Sequence, residues 1–141
     1  MAKRKVFVSF DWDNDKHYKF LLKAWDANPL FEFVFRDVTP GEIDTSNISR
    51  IKAALTTKVK SATHTLVIIG KEANKLHEYY KLIGFRNWIN FEVHQSKLNH
   101  NRIAAIKLDK SYESPEELIG VGASWAYSFE EQPILDALAK A

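Results

Sequence analysis

One carboxylate stands out by its position. Glu92 lies in RNWINFEVHQS, residues 86–96, where large apolar side chains alternate with small polar ones. Read as a helix with about 100° of rotation per residue and Trp88 at zero, the stretch sets Ile89 at roughly 100°, Val93 at roughly 140°, Leu98 at roughly 280° and Phe91 at roughly 300°. Asn90, Lys97 and His94 gather at roughly 180–240°. Glu92 falls at about 40°, between Trp88 and Ile89 and away from that polar arc. A carboxylate turned toward the body of a protein is costly unless a partner pairs it or a cleft hydrates it. A structural ion pair with a nearby Lys or Arg is one account of Glu92, and a catalytic acid or charge stabiliser is the other.

The elements that would position Glu92 alternate in type. Lys5–Phe10 (KVFVSF) reads as a strand. The helix that follows carries Tyr18, Leu21, Leu22 and Trp25 at helical spacing, with Asp13 or Asp15 as its cap and Asn28-Pro29 as its stop. Phe31–Arg36 is a second strand, and Ile48, Ile51, Leu55 and Val59 mark a helix capped by Thr45 or Ser46. The nearly all-apolar Thr65–Ile69 reads as a strand covered on both faces. A long connection from Gly70 to Asn87 contains KLHEYYKLI, which fits a short amphipathic helix. Trp88–Asn99 is the helix of Glu92, Ile103–Leu108 a fourth strand and Ser124–Phe129 a fifth. Pro133 opens a last helix running to Lys140. Five strands separated by helices predict one α/β domain over residues 1–141, a flavodoxin-like, mainly parallel sheet with helices on both faces. The pattern does not fix the strand order, and 2-1-3-4-5 is expected as the common order for this length. Ligands of such sheets bind beyond the carboxyl ends of the strands. Those ends present Ser9, Phe10 and Asp11, then Asp37, then Gly70. Phe10, Asp11 and Trp88 are expected to line one pocket with Glu92.

Several activities of such sheets lack their parts. A phosphate-receiving regulator needs an aspartate at the end of the third strand, where this chain has Ile69-Gly70. The first turn reads SFDWDND, without the glycines of a dinucleotide fold, and no G-x-x-x-x-G-K-[ST] occurs. DWDND resembles the start of a calcium loop, but Lys16 and Leu22 stand where that loop needs glycine and glutamate. Acidic residues at a helix N-terminus account for Asp13 and Asp15 more simply. His17, His64, His77, His94 and His100 lack metal-ligand spacing and read as surface or strand-edge residues, so no metal is expected.

Composition agrees with a folded domain. The 141 residues are 45% hydrophobic and 13% aromatic, which excludes a disordered chain. A net charge of +2 from 20 basic and 18 acidic residues gives no reason to expect nucleic acid or an anionic membrane surface. The absence of cysteine excludes disulfides, zinc-thiolate sites and thiol nucleophiles. No transmembrane-length run or signal-peptide core is read, and a cytoplasmic location is expected.

KVFVSFD at the start, SATHTLVIIG at the third strand and WINFEV together resemble the TIR-like domain of Thoeris antiphage defence proteins of the ThsB type. The likeness spans roughly Lys3 to Leu108, and W-x-x-x-E after the third strand with S-F-D after the first is its sharpest part. It implies an enzyme that cleaves the nicotinamide–ribose bond of NAD, with Glu92 as the required glutamate. It also implies a cyclic ADP-ribose-type product that signals to a separate effector protein. NAD is then a substrate, no cofactor is implied, and self-assembly into a homo-oligomer is compatible. Ser9, Phe10, Asp11, Asp37, Gly70 and Trp88 become the expected substrate-binding residues. Phe10, Trp12 and Trp88 are candidates to stack on adenine or nicotinamide, and Asp11 could accept from a ribose hydroxyl or the adenine amine. Glu92, in the second turn of its helix, is expected to be kept ionised by the helix dipole. Two other readings stay open: a non-catalytic TIR-like interaction module, and a nucleoside deoxyribosyltransferase-like enzyme.

Overall fold

Parallel strands need crossovers, and the helical segments of this chain supply them. The computed structural model describes residues 4–26, 32–36 and 46–141. Within them the order is β1 (Arg4–Ser9), α1 (Trp12–Asp26), β2 (Phe33–Arg36), α2 (Ile48–Lys60), β3 (His64–Ile69), α3 (Tyr80–Ile83), α4 (Trp88–Leu98), β4 (Arg102–Lys107), a 3-10 turn (Glu116–Leu118), β5 (Ser124–Ala126) and α5 (Glu131–Lys140). The five strands form one sheet of order β2-β1-β3-β4-β5, parallel at every pairing. This is the α/β architecture expected from the alternation of elements, with the strand order expected as the common one for this length.

The two-residue period of the strands divides the interior in two. Val6 and Val8 of β1, Leu66 and Ile68 of β3 and Ala104 and Ile106 of β4 face α1 and α5, packing on Leu22, Ile134 and Leu138. Phe7 of β1 and Val67 and Ile69 of β3 face the other way, toward Ile51 and Leu55 of α2 and Ile89, Phe91 and Val93 of α4. All six residues of β3 are buried, as a central strand covered on both faces requires. Each large apolar side chain so buried contributes about 1.5–3 kcal/mol.

Several boundaries differ from the expected ones, each for a local reason. Helix α1 begins at Trp12, so Asp15 is not its cap but a buried residue of its first turn. The Asp15 amide donates to the Asp11 carbonyl at 2.7 Å, which closes that turn two residues earlier than a cap at Asp13 would. Helix α2 is capped by Asn47, whose side chain accepts from the Arg50 amide at 3.1 Å, rather than by Ser46. Helix α5 starts at Glu131, which puts Pro133 inside the first turn, where its missing N–H leaves no intrahelical bond unmade. Strand β5 stops at Ala126, and Phe129 packs on Tyr18 and Trp25 of α1 instead. Phe31, Asn28-Pro29, Thr45 and Asp37 lie outside the described residues, as do the side chains of Trp12 and Asp13. Among the described residues no helix is long and apolar enough to cross a membrane.

Candidate active site

Helix α4 carries the site, and asparagines fix where it begins. The Asn87 side chain accepts from the Asn90 amide at 3.0 Å, the bond that caps a helix N-terminus. Its amide nitrogen donates to the carbonyls of Ala73 and Lys75, each at 2.9 Å. Asn90 Nδ2 donates to Asn87 Oδ1 at 2.9 Å and Asn74 Oδ1 at 3.2 Å, and Asn90 Oδ1 accepts from the Glu117 amide at 2.9 Å. The connection from Gly70 to Asn87 and the 3-10 turn are thereby tied to the first turn of α4. Asn90 is fully buried, contrary to the outward polar arc on which its azimuth places it. The reason is tertiary: the 3-10 turn covers that side of α4, and Glu117 accepts from Lys97 Nζ at 2.8 Å on the same side.

One turn further on, Glu92 points to the sheet, as its azimuth requires. It is 1% exposed. Its Oε1 accepts from Ser9 Oγ at 2.6 Å, across 83 residues of sequence, and its Oε2 is buried with no hydrogen-bond partner. No Lys or Arg bridges it among the ion pairs of the described residues, so the ion-pair account of Glu92 finds no support there. Burial pushes its pKa up to about 8, and the Ser9 hydrogen bond offsets only part of that rise. The expectation that the helix dipole keeps Glu92 ionised is therefore corrected. Removing both oxygens from water outweighs a dipole and one hydroxyl donor, and the resting group is predominantly a neutral acid at pH 7. Beneath it the helix is pinned to the sheet by hydroxyls. Ser96 Oγ bonds the Glu92 carbonyl at 2.8 Å and Thr65 Oγ1 at 2.6 Å, and Asn101 Nδ2 donates to Thr65 Oγ1 at 3.2 Å.

Strand parity sorts the other expected residues. Ser9 faces α4 and touches Glu92. Phe10, the next residue, is 3% exposed and belongs to the core on the α1–α5 side. Its ring is therefore on the opposite face from Glu92, and the expected common pocket is not what the chain assembles there. Trp88 is half-buried on the α4 side, packed against the Phe7–Ile51–Leu55 core and edge-on to Phe91 at 5.8 Å. It forms part of the wall one turn before Glu92. Asp11, at the end of β1, accepts from Asn14 Nδ2 at 2.6 Å. Gly70, at the end of β3, lies under the Asp15 carboxyl group. His64 is not at the surface: it is 3% exposed, edge-on to Phe33, with Nδ1 at 2.8 Å from Thr63 Oγ1. The residues that sequence reasoning missed are Asn74, Asn87, Asn90, Thr65 and Ser96. A threonine next to the apolar run Leu66–Ile69 of the central strand, and asparagines three apart at a helix start, were the available signals.

Glu92 on α4 is thus held by a hydroxyl from the end of β1. Residues 7–113 match the family model described as Thoeris protein ThsB, TIR-like domain. The chain belongs to this family. No curated protein matches it. The matched span of the TIR-like domain contains Ser9, the asparagine cap, Trp88 and Glu92, and it runs past the end of β4.

Proposed function

We propose that this TIR-like domain cleaves the nicotinamide–ribose bond of NAD and releases a cyclic ADP-ribose-type nucleotide as a signal in antiphage defence, with Glu92 as the catalytic carboxyl group. The observation that carries the reading is the lone, buried Oε2 of Glu92 beside Ser9 at the carboxyl end of β1. Family membership supports the defence context and is compatible with NAD chemistry.

In this reading the bond between the ribose anomeric carbon and the nicotinamide nitrogen breaks, and its electron pair returns to the ring, which leaves as neutral nicotinamide. Positive charge builds on the ribose, as in glycoside hydrolysis. A carboxylate in a dry site stabilises that charge most strongly in the transition state. The neutral resting state of Glu92 fits this role. The substrate brings a cationic pyridinium, and a cation beside a carboxyl group favours its ionised form. Ser9 then holds the orientation of Oε1 while Oε2 faces the reacting carbon. A nitrogen of the adenine ring of the same molecule closes the new bond when water is excluded, and water closes it otherwise. The diffusible product, rather than a direct contact, would reach the effector protein.

The test is incubation with NAD, with and without lysate of phage-infected cells, followed by mass spectrometry of the products. Nicotinamide release by wild type and none by Glu92→Gln supports the reading. Equal turnover by the two sinks the role of Glu92, and no turnover under any condition favours a non-catalytic interaction module.

A further inference from the structure

A second lone carboxylate lines a cleft at the carboxyl edge of the sheet. Asp15 is 7% exposed, and its Oδ2 is buried without a hydrogen-bond partner. It lines a cleft of about 380 Å³ where α1 meets the segments that follow β3 and β4. The walls include Tyr18 and Tyr112, and the charged lining consists of Asp15, Glu72, Asp109 and Lys71. The space for the Asp15 carboxyl exists because residue 70 is glycine: a Cβ there would stand within 2.6 Å of Asp15 Cγ. Asp109 is fixed by its own turn, accepting from Ser111 N at 2.9 Å and Ser111 Oγ at 2.6 Å, which holds its carboxyl below the usual range and ionised. Burial, then Asp15 and Tyr112, push the Tyr18 hydroxyl up, so the two phenols and the carboxyl share one environment.

These features select a ligand class. Three carboxylates against one lysine repel phosphate and favour a cation. Among the described residues no three His, Cys, Asp or Glu side chains are grouped to hold a metal ion, which points to an organic cation instead. An ammonium group has three donors and no acceptor, which suits a carboxylate such as Asp15 with an oxygen that lacks a donor. Tyrosine faces also attract ammonium groups. We propose that this cleft binds a primary ammonium group, carried by a small free amine or a lysine side chain, with Asp15 as the counter-ion at its floor and Glu72 and Asp109 at its rim. The site is separate from the Glu92 reading, since Glu92 is not among the residues that line the cleft.

The probes are putrescine, for a free amine, and Nα-acetyl-lysine N-methylamide, for a lysine side chain, titrated by calorimetry into the full chain. At least one should bind saturably, and Asp15→Asn should weaken it by roughly tenfold or more, as loss of a hydrogen bond to a charged group does. The tighter probe tells which source the site suits. Binding by Glu92→Gln should match wild type, so this result stands or falls apart from NAD turnover. Where Asp15→Asn does not fold, the rim double substitution Glu72→Gln with Asp109→Asn carries the test and should weaken binding at least severalfold. No saturable binding, binding untouched by these substitutions, or binding only after Lys71→Met would overturn the proposal. The last outcome would identify Lys71 as the cleft's own cation.

Discussion

The two lone carboxyl groups, Glu92 on the α4 face and Asp15 on the α1 face, show how far surroundings separate the same chemistry. Both approach the carboxyl edge of the sheet, and both keep one oxygen without a partner. Glu92 is sealed, touches one hydroxyl donor and has a pKa of about 8. Asp15 lines an open cleft, and its pKa is raised only to about 6, by burial and then by Asp11, with His17 pulling the other way. The sealed group is mostly neutral at pH 7, whereas the cleft group is mostly charged. On the two proposals above, a glutamate that ionises only when substrate arrives and an aspartate already mostly charged at pH 7 would be different devices.

The largest expected effect breaks the comparison on the α4 side. Glu92→Gln should reduce nicotinamide release by about a hundredfold or more, the scale of losing a transition-state charge partner in a dry site. Its stability should move the other way. A carboxyl whose folded pKa lies above its unfolded value of 4.5 favours the folded state fully below about pH 4.5 and loses that contribution as pH rises through about 8. Wild type should therefore lose melting temperature relative to Glu92→Gln across that window, in paired thermal scans. Parallel curves would mean that Glu92 is not held neutral.

Next in size is the contact that makes room for Asp15. Gly70→Ala should destabilise by about 1–3 kcal/mol, because the new methyl meets a buried carboxyl. The cost should largely vanish in an Asp15→Ala background, a coupling that a double-mutant cycle in urea denaturation measures. Equal cost in both backgrounds would place the clash elsewhere.

Ser9→Ala should slow NAD turnover by roughly five- to tenfold, about the worth of one hydrogen bond. Because that bond lowers the Glu92 pKa, its loss should also displace the ionisation in the pH–rate profile toward higher pH. A slower enzyme with an unmoved profile would make Ser9 a substrate contact rather than a partner of Glu92.

The smallest effect sharpens the comparison on the α1 side. Asp15→Asn should gain melting temperature on wild type between about pH 4 and about pH 6, the window between the unfolded and folded pKa values, and the difference should then level off. A window extending to pH 8 would mean that Asp15 is as sealed as Glu92.

The order of elements and the inward azimuth of Glu92 were legible in the chain, because hydrophobic period reports each element's own buried face; the strand order was not, and 2-1-3-4-5 was expected only as the common order for a sheet of this length. The family likeness was legible for a related reason: KVFVSFD and WINFEV each lie within one strand or helix together with its end. What a period cannot report is what arrives on a face from elsewhere. The 3-10 turn, more than twenty residues downstream, covers the side of α4 where Asn90 looked solvent-facing. Strand parity gave the contact with Glu92 to Ser9 and turned Phe10 to the other core, a one-residue distinction that depends on which face α4 covers. Asp15 read as a helix cap, since acidic residues at a helix start are ordinary; only the missing Cβ of Gly70, at the end of a strand paired beside β1, makes a buried place for its carboxyl. The charge state of Glu92 was beyond sequence altogether, because desolvation depends on everything that surrounds an atom in three dimensions, and a helix dipole can be read from one segment while the loss of water cannot.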